Sequence, residues 1–160
     1  MGKKKRAHVK WTSPPRGRLK LNVDGAFDLS TNRGGVGVVC RDEGGRSIIM
    51  LAKSYLYAHS ALAMLAEVCT EGLLLGISQE WGNIDVESDS YVLVAALNSS
   101  RADLSEVGRI IEDCKRYLLA LPSSSIRHIF REANCVADYL AHFACNGFID
   151  SVWVEDDDQE

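Results

Sequence analysis

The sequence lacks three features, and each absence narrows what the chain can be. There is no uninterrupted apolar run of membrane-spanning length, and the basic start is followed by polar residues rather than a signal-peptide core, so a soluble chain with no membrane partner is expected. The five cysteines, Cys40, Cys69, Cys114, Cys135 and Cys145, never fall in C-x-x-C spacing, are odd in number and lie mostly in apolar runs. That argues against a disulfide framework; buried reduced thiols fit an intracellular compartment, nuclear or cytoplasmic. Excess positive charge is missing too: 18 Lys and Arg against 22 Asp and Glu give a formal charge of −4. A protein that binds nucleic acid by simple electrostatic attraction would carry the opposite sign.

The charge is unevenly placed. Lys3, Lys4, Lys5, Arg6 and Lys10 open the chain, and Glu155, Asp156, Asp157, Asp158 and Glu160 close it. The tails cancel, leaving 13 basic and 17 acidic residues between positions 11 and 154. An acidic body can still bind a polyanion when its carboxylates hold divalent cations. The basic cluster has three open readings: a nuclear-import signal, a hand on nucleic acid, or a solubilising tail. With 160 residues, 46% of them hydrophobic, and no internal repeat, one domain with a real core is expected. Residues 1–17 read as a flexible arm with a Pro14-Pro15 lead-in, 18–148 as the domain, and 149–160 as a frayed acidic tail.

Leu19, Leu21 and Val23 alternate with Lys20, Asn22 and Asp24, predicting a half-buried strand with a carboxylate on its polar face. Such a carboxylate needs a donor, a cation or a metal beside it, unless Asp24-Gly25 is simply a turn at the strand end. Glycine turns then lead to strands through Val36–Cys40 and Ser47–Leu51, an antiparallel meander. The Gly34-Gly35-Val36-Gly37 run lacks the Lys-Ser/Thr of a phosphate-binding loop, so tight turning and close packing is the better account. Ser60 caps a predicted helix with an apolar stripe through Leu62, Leu65, Ala66, Cys69, Leu73 and Gly76, and Glu67 sits one step off it. A fourth strand, 84–88, hands over to a helix at Asp89, either a cap or a group at the sheet's carboxyl edge. Helical spacing returns over 103–121, a fifth strand follows at 125–130, and a last helix opens at Arg131-Glu132-Ala133-Asn134 and carries Asp138 in its first turns.

Five strings in this order, KLNVDGA, GGVGVVCRDEGG, AEVCTEGLLLG, VESDS and FREANCVADYLA, resemble the ribonuclease H-like domain of plant retroelement-derived, reverse transcriptase-like proteins, from about Trp11 to Phe148. The resemblance implies an α/β, ribonuclease H-like fold with a mixed five-stranded sheet, three antiparallel strands then two more, flanked by helices. It also implies a monomeric endonuclease that cuts the RNA strand of an RNA–DNA hybrid. Asp24, Glu67, Asp89 and Asp138 match the family's four catalytic carboxylates, which hold two Mg²⁺ ions, with Mn²⁺ able to substitute. Gly25, Arg33, Arg131 and Asn134 are weaker candidates for substrate contact, Asn134 having a helix cap as its alternative.

The sequence also departs from the family. Ala63 and Met64 stand where many of these enzymes carry two asparagines that bind the hybrid's minor groove, and no histidine-bearing loop or basic insertion is present. His128 reads as structural. A non-catalytic nucleic-acid-binding module keeping the same fold is therefore the alternative, and a protein-interaction domain on this scaffold is a third.

Overall fold

In the computed structural model, residues 10–155 are described; the cluster Lys3–Arg6 and the tail beyond Glu155 lie outside them. Strands β1 (Leu19–Asp28), β2 (Arg33–Arg41) and β3 (Ser47–Tyr55) form the expected meander. Helix α1 (Ala61–Ser78), β4 (Asn83–Ser88), α2 (Tyr91–Asn98), α3 (Gly108–Ala120), β5 (Ser123–His128), α4 (Cys135–Asn146) and β6 (Asp150–Val154) follow. The sheet order is β5-β4-β1-β2-β3-β6. β4 runs parallel to β1 and β5, and the remaining pairs are antiparallel.

The sheet has six strands rather than the five expected. The sixth, β6, pairs with β3 from Ile49↔Val154 to Lys53↔Asp150, where a frayed tail was expected. Its five residues are mostly exposed, so an edge strand held by backbone bonds leaves no buried alternation to detect. At the other end, Trp11 belongs to the folded body. Its Nε1 donates to Asn22 Oδ1 at 2.9 Å, and its ring lies under Lys20 at 5.3 Å and Arg41 at 4.5 Å. We expect Trp11→Ala to lower stability by about 1–2 kcal/mol in urea unfolding, from one hydrogen bond and two cation–π contacts. An unchanged midpoint would return this segment to the status of a flexible arm.

β1 sits in the middle and shows one residue set to each helix layer. Leu21 and Val23 join the apolar cluster under α1. Lys20, Asn22 and Asp24 face the α4 side, all nearly buried. Burying Lys20 is offset by Glu87, with Nζ 3.5 Å from Oε2, and by the Thr12 carbonyl. Glu87 also accepts from Arg127 at 2.7 Å and from Asn22 at 3.2 Å, so the buried charges are paired and hydrogen-bonded.

Helix α1, with a mean hydropathy of 1.6 over 18 residues, is long and apolar enough to cross a bilayer on those measures alone. Here it packs against β1, β2 and α3. Two glycines set its rotation: a Cβ at Gly72 would meet Leu21 and Val23 side chains, and one at Gly76 would meet Ile84. On the opposite face, Gly35 and Gly37 let α4 lie directly on β2; a Cβ at Gly37 would come within 2.4 Å of the Ala137 carbonyl oxygen. Close packing is thus the function of the glycine run.

Candidate active site

Asp24 lies inside β1, opposite Gly37 of β2, and is 6% exposed. That rules out the turn alternative. Its Oδ1 accepts from the Gly25 N–H at 2.9 Å. Gly25 itself packs against the α1 backbone, since a Cβ there would approach the Met64 carbonyl carbon to 2.8 Å. It is a packing residue rather than an open approach to a ligand.

Asp89 follows β4 directly. Ser90, not Asp89, caps α2, its side chain accepting from Leu93 N, so the Asp89 carboxylate is free of that duty. Asp138 arrives from the first turn of α4, where the helix dipole favours a negative charge. Asn134 fixes how that helix meets β1. It makes no capping bond; its side chain is buried, donates to the Val23 carbonyl at 3.0 Å and accepts from Asn22 at 3.1 Å. Asn134 is therefore a clamp between β1 and α4 rather than a cap, and Asn22, which the sequence showed only as a polar-face residue, is its partner.

These elements bring Asp24, Asp89 and Asp138 together. Burial, then the Asp89 and Asp138 charges, push Asp24 up to about 8. An acid raised so far retains its proton at neutral pH. Asp89 is raised as well, chiefly by burial, with Arg131 and His128 opposing and Asp138 adding to the rise. An arginine and two histidines rim the cluster. Arg131 and His142 lie 3.5 Å and 3.4 Å from Asp138 Oδ1, and His128 Nε2 donates to the Asp89 carbonyl at 3.2 Å. His142 was not singled out from sequence, although its i+4 spacing from Asp138 signals the contact.

Glu67 is half-buried on α1, raised by burial and by Glu71 and lowered by Lys53, whose Nζ meets Glu71 at 2.9 Å. Arg33 donates to the Gly147 carbonyl and lies over the Phe148 ring at 4.4 Å, anchoring the end of α4.

Three carboxylates with oxygen-only donors suit a hard divalent cation such as Mg²⁺, which would relieve their mutual repulsion. Among the described residues, no three His, Cys, Asp or Glu side chains stand in a ready-made chelating group.

A family model described as reverse transcriptase-like matches residues 22–144. An Arabidopsis thaliana protein provisionally named a ribonuclease H protein is 29% identical over 136 residues; the match covers 85% of this chain and 22% of that protein. Among solved structures, ribonuclease H1 of the archaeon Halobacterium salinarum superposes with a TM-score of 0.72 at 20% identity, covering 79% of this chain and 96% of that one. LC11 ribonuclease H1, solved with an RNA/DNA hybrid, gives 0.71 at 18% identity, covering 80% and 96%. The match over residues 22–144 and the six-stranded fold together establish that this chain belongs to the reverse transcriptase-like family, as a ribonuclease H-like domain of the retroelement-derived type.

Proposed function

We propose that this domain is a divalent-metal-dependent phosphodiesterase that hydrolyses the RNA strand of an RNA–DNA hybrid. The observation that carries this reading is the meeting of Asp24, Asp89 and Asp138 from three different elements, close enough for Asp24 to be pushed up to about 8. The hybrid seen with LC11 ribonuclease H1 supports the substrate class. A cation bound by the three aspartates would neutralise charge on the scissile phosphate and ease deprotonation of the attacking water. Asp24, the most buried of the three, would hold such a cation in its ionised form. Arg131, mostly exposed beside Asp138, offers a guanidinium to a phosphate oxygen, and the Asn22–Asn134 clamp keeps Asp138 opposite Asp24.

The test is cleavage of a hybrid labelled on its RNA strand, with Mg²⁺ or Mn²⁺, beside duplex RNA, duplex DNA and an Asp138→Asn control. Metal-dependent cutting of the hybrid's RNA alone, lost in the control, is the expected result. One observation favours the second reading, a non-catalytic binding module: Ala63 and Met64 are buried, leaving α1 without groove-reading side chains there. Hybrid binding without cleavage by a folded protein would select it.

A further inference from the structure

We propose that the outer face of α4 is a stacking site for an unpaired nucleobase, formed by the Tyr139 and Phe143 rings with Asn146 and His142 beside them. It holds single-stranded nucleotides that flank a hybrid lying at the aspartate cluster. The inference rests on the nucleic-acid reading above and extends it from the paired strand to the unpaired one.

Helix α4 divides its residues between two faces. Ala137, Leu140, Ala141 and Ala144 are buried where the helix packs on β1, β2 and β3. At about 100° per residue, Asp138, His142, Asn146, Tyr139 and Phe143 fall in that order on an outer arc about 140° wide. Asp138 therefore stands at one edge of this face and the two rings at the other. Both rings lie outside the core, Tyr139 being 66% and Phe143 45% exposed. Their centroids are 6.1 Å apart and their planes only 7° from parallel. Each ring thus holds the other's orientation, and the flat faces are set before any ligand arrives.

An open cleft of about 300 Å³ lies over the rings, lined by Tyr139, His142, Phe143, Asn146 and Gly147. Its chemistry selects the occupant. The lining has no aliphatic side chain to receive an apolar peptide anchor, and no acid, although the chain as a whole carries a charge of −4. Aromatic faces take a nucleobase by stacking, whatever its identity. The exposed Asn146 amide and His142 ring can donate to and accept from a base edge. A guanidinium stands at each end. Arg131 lies 3.5 Å from Asp138 at one, and Arg33, bound to the Gly147 carbonyl and 4.4 Å over the Phe148 ring, is at the other. Phosphates on either side of a stacked base would find charge complementarity there.

The experiment is fluorescence anisotropy of the purified chain, in chelator so that no strand is cut. The probes are a labelled RNA–DNA hybrid that is blunt, that carries a run of unpaired thymidines, or that carries the same run without its bases. The thymidine run should tighten binding by about fivefold or more over the blunt hybrid, and the baseless run, of equal charge, by less than about twofold. Tyr139→Ala and Phe143→Leu, each checked for folding by circular dichroism, should abolish the difference between the two runs. Phe143→Tyr keeps the ring and should retain it. Equal binding of the two runs, or binding of neither, would overturn the inference, as would a base preference that survives both Tyr139→Ala and Phe143→Leu. Self-association of the chain that Phe143→Leu abolishes would give the cleft to a second copy and overturn it too. Hydrolysis is scored separately with Mg²⁺. A ring-dependent base preference without cleavage keeps this inference and removes the nuclease reading; cleavage without that preference does the reverse.

Discussion

Asp24→Asn is expected to cut metal-dependent hydrolysis by at least about a hundredfold and, in the metal-free protein, to raise the melting temperature at pH 9. The two effects have one origin. Asp24 is held at about 8 in the folded chain, far above its ordinary value of 3.8. Between those values the folded state keeps a proton that the unfolded state releases, so stability falls as pH rises across the window and levels off above about 8. Below the lower value both states are protonated and nothing is lost. Asparagine cannot ionise, so the variant should show a flatter pH profile, matching the native chain near pH 4 and exceeding it at pH 9. A saturating divalent cation should reverse the order for the native chain only, since binding at a hundred times Kd adds about 2.7 kcal/mol. Melting curves in chelator, repeated at several pH values, check this. Parallel profiles for the two proteins would mean that Asp24 is not the strained group.

Much of this arrangement was legible in the chain because it follows from local pattern. The alternation through Leu19–Asp24 gave β1 and the face on which Asp24 stands, and the glycine turns gave the meander. The resemblance supplied three aspartates that the fold does bring together. Helix α1 shows where local pattern stops. The apolar stripe of α1 was correct, including Leu65 and Gly76, but a stripe shows only which side of a helix is buried. Which flank of that helix looks toward Asp24 depends on how Gly72 and Gly76 seat it on Leu21, Val23 and Ile84. Asn134 stayed open for a similar reason. Its position at a helix start fits a cap as well as a role at the site, whereas its partners, Asn22 and the Val23 carbonyl, are more than a hundred residues away in sequence. Long-range polar contacts of this kind leave no periodicity to find.

The same dependence of site on packing predicts a large effect from one methyl group. Gly37→Ala should destabilise the domain by about 3 kcal/mol or more and, at temperatures where it remains folded, weaken both cation binding and hydrolysis. A Cβ at Gly37 would stand 2.4 Å from the Ala137 carbonyl oxygen and 2.6 Å from the Ala141 N, both backbone atoms of α4. No rotamer change relieves a clash with backbone, so α4 must lift from the sheet. Asp138 is the next residue after Ala137, and Gly37 is the direct cross-strand partner of Asp24. The lift therefore opens the gap between Asp24 and Asp138, and it strains the Asn134 clamp as well. Gly82→Ala is the matched control, because a Cβ there meets nothing within 4 Å. It should leave stability, cation affinity and hydrolysis unchanged. Loss of affinity in Gly37→Ala with intact secondary structure would tie function to the seating of α4, because the substitution adds no charge and removes no ligand. Native stability in Gly37→Ala would instead mean that α4 has slack over β2, and the glycine run would need another explanation.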